Sequence, residues 1–313
     1  MEMTGRRDQA PIFIVGSPRS GTTLMRYCLN QHSRLYIAFE TGFFRKIYGN
    51  RRLIRERDIP NSAHKLIDRL FVSADPTRDE FLYLKEELRE KIAKEAKSYR
   101  DVAIVVFETF AKQKGKVRWG EKTPFHILYI NQMLKVFPEA KIINMERDAK
   151  AVAASYMKSS HVPNDLLVAL AHHCLCAKHA RKWQERVLTV RYENFVEKPE
   201  FVLREVCTYI GEEYEPAMLK PGMRDSSYSA NVIEFNTDIG IDQDKNFKWK
   251  EVLTPYQIDL IDFMKNTENN NYQSRFFYDY LKISLIQNRF MLSTYKNAMG
   301  YENIKRFFKN KWD

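Results

Sequence analysis

The feature that most constrains the fold lies at the start of the chain: Pro11-Ile-Phe-Ile-Val-Gly16, then Ser-Pro-Arg-Ser-Gly21, then Thr22 to Asn30. A short apolar run bounded by Pro and Gly reads as a strand buried on both faces. Leu24, Cys28 and Leu29 then recur at helical spacing, so the segment predicts strand, small-residue loop and helix. Such a loop aims backbone N–H groups at an anion from a helix N-terminus, where the dipole also favours negative charge. Gly16 and Gly21 permit the tight turn and a close backbone approach. The spacing is that of a P-loop, GxxxxG followed by a hydroxyl residue. Thr22, however, stands where that motif needs the lysine that holds ATP or GTP phosphates. Positive charge comes instead from Arg19, inside the loop. A divergent P-loop kinase using ATP is the alternative that this departure disfavours.

The pattern repeats downstream. Lys141 to Glu146 and Val187 to Arg191 read as further strands. Each precedes a helix, one Ala-rich through Lys158, the other Pro199 to Ile210 with Gly211 at its end. The alternation predicts an α/β protein with a central parallel sheet and helices on both faces. Residues 42–100 form a helical insert by their pattern. Asp101 to Lys112 suits strand or helix, and Trp119-Gly-Glu-Lys-Thr-Pro124 reads as a loop. Residues 221–250 lack periodicity, as an active-site loop would, and Thr254-Pro255 has the cap chemistry of another helix. The division expected is a disordered N-terminus over 1–10, the main domain over 11–270 and a helical extension over 271–313. The extension carries 11 aromatics and 8 Lys+Arg against 3 Asp+Glu. It could pack as a last helical layer, lie on an anionic membrane surface, grip an acidic acceptor or contact a second subunit.

Composition narrows the partners. With 51 Lys+Arg against 40 Asp+Glu the net charge is +11. That suits a basic cleft for an anionic ligand rather than a nucleic-acid surface. The longest apolar stretch, Leu166 to Ala177, is too short for a membrane span and holds His172 and His173. No secretory leader is visible, and four cysteines make no disulfide framework, so a cytoplasmic location is expected. His172, Cys176 and His179 share one helical face. They could be zinc ligands, but the commoner arrangement is a helix core, and no metal is expected.

Ser17-Pro-Arg-Ser-Gly-Thr-Thr-Leu-Met-Arg26 resembles the 5′-phosphosulfate loop of sulfotransferases that use 3′-phosphoadenosine 5′-phosphosulfate (PAPS). The likeness is greatest to tyrosylprotein sulfotransferases and the related bacterial group, and runs over about residues 11–255. It implies that Arg19, Ser20, Gly21, Thr22 and Thr23 bind the 5′ side of the donor. Arg147 ends a strand, where ligands sit in open α/β sheets, and Ser155 lies two helical turns beyond it. Arg147-Asp148…Ser155 matches the family's 3′-phosphate motif. Tyr192, in Arg-Tyr-Glu193, resembles a tyrosine that contacts the nucleotide. Ser227 and Lys248 resemble the late loop that closes over the donor.

Glu40, between Phe39 and Phe43, is a carboxylate whose partial burial would raise its pKa toward that of a useful base. Its position 21 residues after Arg19 matches the family's catalytic base. The other readings are a helix cap or a structural ion pair. Lys122 matches the lysine that stabilises charge on the bridging oxygen; its bland reading is a salt bridge with Glu121. His32 is either a rival base or the cap of the first helix. The resemblance implies PAPS as donor and adenosine 3′,5′-bisphosphate (PAP) as product. It also implies no metal, and a hydroxyl acceptor that is a small molecule, carbohydrate, lipid or peptide tyrosine.

Overall fold

Every residue of the first strand is buried, and its alternate side chains serve two different cores. That is why the run is uninterruptedly apolar instead of alternating. The computed structural model describes residues 10–71, 81–158, 165–220 and 248–267. Within them the order is β1 (Ile12–Gly16), α1 (Thr22–Asn30), β2 (Leu35–Phe39), α2 (Phe43–Lys46), α3 (Ala63–Leu70), α4 (Lys85–Glu95), α5 (Tyr99–Gln113), β3 (Arg118–Lys122) and α6 (Ile130–Val136). It continues with β4 (Lys141–Glu146), α7 (Ala149–Met157), α8 (Leu166–Lys182), β5 (Val187–Arg191), α9 (Tyr192–Glu197), α10 (Pro199–Ile210) and α11 (Pro255–Thr267). The five strands form a parallel sheet in the order β2-β3-β1-β4-β5.

Phe13 and Val15 face the insert, packing with residues of α2 to α6. Trp119 of β3 stacks on Phe107 of α5 at 5.0 Å between ring centroids and meets Phe13 edge-on. Ile12 and Ile14 face α1, α9 and α10 on the other side. From β1 the chain runs outward to β2, returns through β3, and then crosses to β4. Strand order therefore reverses at β1, and the loop after β1 opens into the crevice where open α/β sheets bind ligands.

The expected strands and helices around β1, β4 and β5 are present, and the ambiguous segment at 101–112 is helical. Ser98 and Asp101 close a capping box that starts α5. The insert is helical, with short 3-10 turns between its helices. Thr254 and Gln257 exchange the capping bonds expected at the start of α11. The segment read as a loop at Trp119 is instead strand β3. It carries three charged residues, and each is buried with a partner. Arg118, for example, donates to the carbonyls of Ala10 and Ile210 and pairs with Glu212 at 2.9 Å. β2 was not expected at all. It is an edge strand held by α1: Arg26 Nε donates to the Ile37 carbonyl at 2.8 Å, and Asn30 Oδ1 accepts from Ile37 N at 2.6 Å. Of the disordered terminus expected over 1–10, Ala10 is described and is buried, its carbonyl accepting from Arg118 Nε, while residues 1–9 lie outside the described residues, as do the loop at 221–247 and the extension at 271–313. Among the described residues, no helix is long and apolar enough to cross a membrane.

Candidate active site

The loop after β1 is shaped by two close approaches. At Gly16, φ is +146° and a Cβ would fall 2.3 Å from the Met145 carbonyl oxygen of β4. At Gly21, φ is +94° and a Cβ would fall 2.4 Å from the Tyr192 ring. Both positions therefore need glycine. Between them Arg19 takes a left-handed conformation, φ 70°. Buried Ser20 donates from Oγ to the Ser17 carbonyl at 2.6 Å, closing the turn. Helix α1 then begins at Thr22 with no side-chain cap and no acidic residue in its first turn. Such a terminus suits an anion.

The second anchor converges on the same loop. Arg147 Nη1 donates to the Arg19 carbonyl at 3.2 Å, and Arg19 Nε donates to Ser155 Oγ at 2.9 Å. The Arg147 guanidinium lies 4.1 Å from the Tyr192 ring centroid. Burial lowers the Arg147 pKa from its usual value, and Glu193 acts against that loss. Asp148 caps α7 with its side chain and donates its own N–H to Glu193 Oε1 at 2.8 Å, which fixes the backbone beneath Arg147. Arg19, Arg147, Ser155 and Tyr192 thus share one cradle. An anion there would offset the cost of holding two guanidinium groups together.

The third part of the site is built across the sheet. Phe39 and Lys122 are register partners on β2 and β3, and Glu40 N donates to the Lys122 carbonyl at 2.8 Å. The Lys122 ammonium, fully buried, lies 2.6 Å from Glu40 Oε1 and 3.2 Å from Thr23 Oγ1. It also sits 3.8 Å from the Phe39 ring centroid. Thr23 belongs to the first turn of α1, so this pair adjoins the phosphate loop. Glu40 is 28% exposed. It is partly buried, as expected, and its neighbour is a cation, the ion pair that was one of its readings.

The bland reading of Lys122 does not hold, because strand alternation sends Glu121 to the opposite face. There Glu121 accepts from Thr41 Oγ1 at 2.9 Å, from Gly42 N at 3.3 Å, from Thr123 Oγ1, and from His126 Nδ1 at 2.9 Å. Burial drives its pKa upward, but His126 and the bonds from Thr123 and Thr41 outweigh that and hold it below the usual carboxylate range. His32 stands at the end of the first helix, where its backbone N–H donates to the Leu29 carbonyl at 3.2 Å, and not beside the loop. Its Nδ1 accepts from Arg34 N at 3.1 Å, so Nε2 donates to the Glu213 carbonyl at 2.9 Å, at the far end of α1. Ser227 lies outside the described residues, as does the side chain of Lys248. The chain re-enters the described structure at the short 3-10 turn Lys248–Glu251, where Lys150 Nζ lies 5.1 Å from the Trp249 ring centroid.

His172 is a core residue: its Nδ1 meets the Tyr156 hydroxyl at 2.9 Å, and burial pushes its pKa down to about 3. Cys176 is buried too, which raises its thiol pKa. Among the described residues no group of three or more His, Cys, Asp or Glu is placed to hold a metal. Sequence reasoning overlooked Arg26, Glu193 and His126. Arg26 acts on Ile37 and Glu193 on Asp148, contacts that need the folded sheet, whereas His126 lies five residues from Glu121, within the Glu-Lys-Thr-Pro-Phe-His run around Lys122.

The sheet, the glycine loop at the switch point and the cation cradle define a P-loop-like α/β protein. The sulfotransferase family model matches residues 11–216, and the chain belongs to the sulfotransferase family. A protein-tyrosine sulfotransferase of Drosophila melanogaster is 26% identical over 231 residues, 68% of this chain and 40% of that protein. An uncharacterized protein of Aquifex aeolicus is 25% identical over 229 residues, 69% of this chain and 27% of that protein. The matched region is thus well under half of each of these relatives. The sulfotransferase domain from the curacin biosynthetic pathway has a similar fold, with a TM-score of 0.55 and 20% identity. That match covers 82% of this chain and 97% of the domain.

Proposed function

We propose that the chain transfers a sulfuryl group from PAPS to an acceptor hydroxyl. The observation that carries this reading is the Glu40–Lys122 pair, 2.6 Å apart and in contact with Thr23 of the phosphate loop. A protein that only bound a nucleotide would need no carboxylate beside that lysine. The residues suit the donor: a glycine loop and an uncapped helix terminus for the 5′ side, with Arg147 and Ser155 for a 3′-phosphate.

PAPS, when bound, supplies the sulfuryl group and leaves as PAP. Glu40 accepts the proton of the attacking hydroxyl. Lys122 donates to the oxygen on which charge gathers as the nucleotide departs, and Arg19 offsets charge on the transferring group. Arg147, Ser155 and Tyr192 bind and orient the nucleotide, with Ser227 and Lys248 on the segment that closes over it. Catalysis is then positioning plus electrostatics and calls for no metal. The acceptor is a hydroxyl of a small molecule, carbohydrate, lipid or peptide tyrosine, and the location is cytoplasmic.

A thermal-shift titration tests this, with PAP against ADP and ATP–Mg²⁺. A ligand at 100 times its Kd stabilises by about 2.7 kcal/mol. Stabilisation by PAP, and not by ATP–Mg²⁺, is the expected result, followed by transfer of labelled sulfate to a panel of phenols, sugars and alcohols. Stabilisation by ATP–Mg²⁺ alone would overturn the reading in favour of a divergent kinase.

A further inference from the structure

Behind the Glu40–Lys122 pair, on the opposite face of β3, lies a buried polar group for which the proposed reaction has no direct use. Glu121 and His126 are each 1% exposed. One Glu121 oxygen collects donors from both strand exits: Thr41 Oγ1 and Gly42 N follow Glu40, and Thr123 Oγ1 follows Lys122. Gly42 N also reaches Thr123 Oγ1 at 3.3 Å, so the two exits are bonded to each other as well. The second oxygen accepts from His126 Nδ1 at 2.9 Å. His126 Nε2 is buried without a hydrogen-bond partner among the described residues, and the ring meets Phe44 and Tyr129 edge-on at 5.4 and 5.8 Å.

A carboxylate in a core is costly unless every lone pair is engaged. An apolar residue at this position would serve packing more simply. What the buried carboxylate adds is a fixed distance between two loop starts that are 82 residues apart in sequence.

We propose that Glu121, locked by His126, is a positioning residue that sets the separation and aim of Glu40 and Lys122. It does so through Thr41 on one side and Thr123 on the other, and touches neither donor nor acceptor. The inference rests on the transfer reading above for its purpose, though the clamp itself can be tested without it.

The test uses the full chain as Thr41→Val/Thr123→Val, Glu121→Gln and Glu121→Ala. The valine pair nearly keeps shape and removes both hydroxyl links. Three quantities are read on each protein: PAP affinity by calorimetry, kcat and KM for PAP formation from PAPS, and the crystallographic Lys122–Glu40 distance. A displacement near 1 Å can cost about a hundredfold in rate. That is the loss expected for Glu121→Ala, with about tenfold for the valine pair. PAP affinity and KM for PAPS should stay within about twofold, with the ion pair opened beyond hydrogen-bond distance. Glu121→Gln should recover most of the rate, because its carbonyl can still accept from Thr41 and Thr123. A folded valine pair with an unmoved ion pair and wild-type kcat overturns the inference. So does a rate loss matched by loss of PAP affinity, which would mean general loosening. Failure of the wild-type protein to bind PAP would instead sink the transfer reading, and the measured distances would still decide the clamp.

Discussion

The anion cradle and the Glu40–Lys122 centre are neighbours made in opposite ways. The cradle is assembled from segments at the ends of β1, β4 and β5: a glycine loop, an Arg-Asp turn and the Tyr-Glu start of α9. Its groups lean on backbone and on one another, with Arg147 on the Arg19 carbonyl and on the Tyr192 ring. The centre consists of two side chains, one just past the end of β2 and one at the end of β3, that meet only because those strands pair in register. The cradle can thus be laid down by local motifs, whereas the Glu40–Lys122 pair depends on the sheet being right. The two regions should therefore fail separately when perturbed.

Glu40→Gln should separate them most sharply. Loss of a general base lowers the rate by about 10² to 10⁴, and PAP affinity should stay at its wild-type value by calorimetry. A variant that still turns over at the wild-type rate would remove Glu40 as the base. Arg147→Ala is the converse. A hydrogen bond to a charged group contributes about 1.5–3 kcal/mol, or roughly 10- to 100-fold in affinity. PAP should lose that much, ADP far less, and kcat at saturating PAPS should change little. Equal losses for PAP and ADP would mean that Arg147 does not read the 3′-phosphate.

The same contrast explains what the sequence revealed. The cradle was legible because each part is a short motif with its own physical reason: φ > 0 at Gly16 and Gly21, a cation at a strand end, a hydroxyl two helical turns on. β2 and β3 were not legible as strands. β3 reads Arg-Trp-Gly-Glu-Lys, and charge hid its burial. Arg118 and Lys122 are met by partners distant in sequence, Ala10 and Glu212 for the one and Glu40 for the other, while Glu121 is met by His126, five residues on, and by Thr41, 80 residues away. Glu40 and Lys122 could be named from resemblance, but their contact could not. The ion pair open for Glu40 in the sequence is present, but flanking phenylalanines say nothing of which ammonium arrives from another strand.

Gly21→Ala sharpens the comparison from the binding side. A non-glycine residue held in an unfavourable φ/ψ region costs about 1–3 kcal/mol. Here the added methyl also runs into the Tyr192 ring at 2.4 Å. Thermal unfolding should show that loss, and PAP affinity should fall as Tyr192 is displaced from Arg147. The Lys122–Glu40 distance, set on the far side of Thr23, should not move. Movement of that pair would show that the cradle and the centre are one mechanical unit.

The smallest effect concerns the contact that joins the two regions. His172 of α8 bonds the Tyr156 hydroxyl, next in sequence to Ser155 of the cradle. Its ring also lies 4.7 Å from that of Phe125, three residues beyond Lys122. Burial holds His172 neutral, with a pKa of about 3 against 6.5 for the free side chain. The unfolded chain therefore binds a proton below pH 6.5 that the folded chain does not. Stability is fully present above that pH and falls by about 1.4 kcal/mol for each pH unit between 6.5 and 3. His179, lowered to about 4 chiefly by burial, adds a loss of the same sign. Against that shared background, His172→Gln should be less stable at pH 7.5, having lost a packed ring. It should nonetheless show a shallower decline in Tm from pH 6.5 to 5. Parallel acid limbs for the two proteins would mean that His172 does not couple α8 to protonation. The joint between cradle and centre would then rest on Phe125 and Tyr156 packing alone.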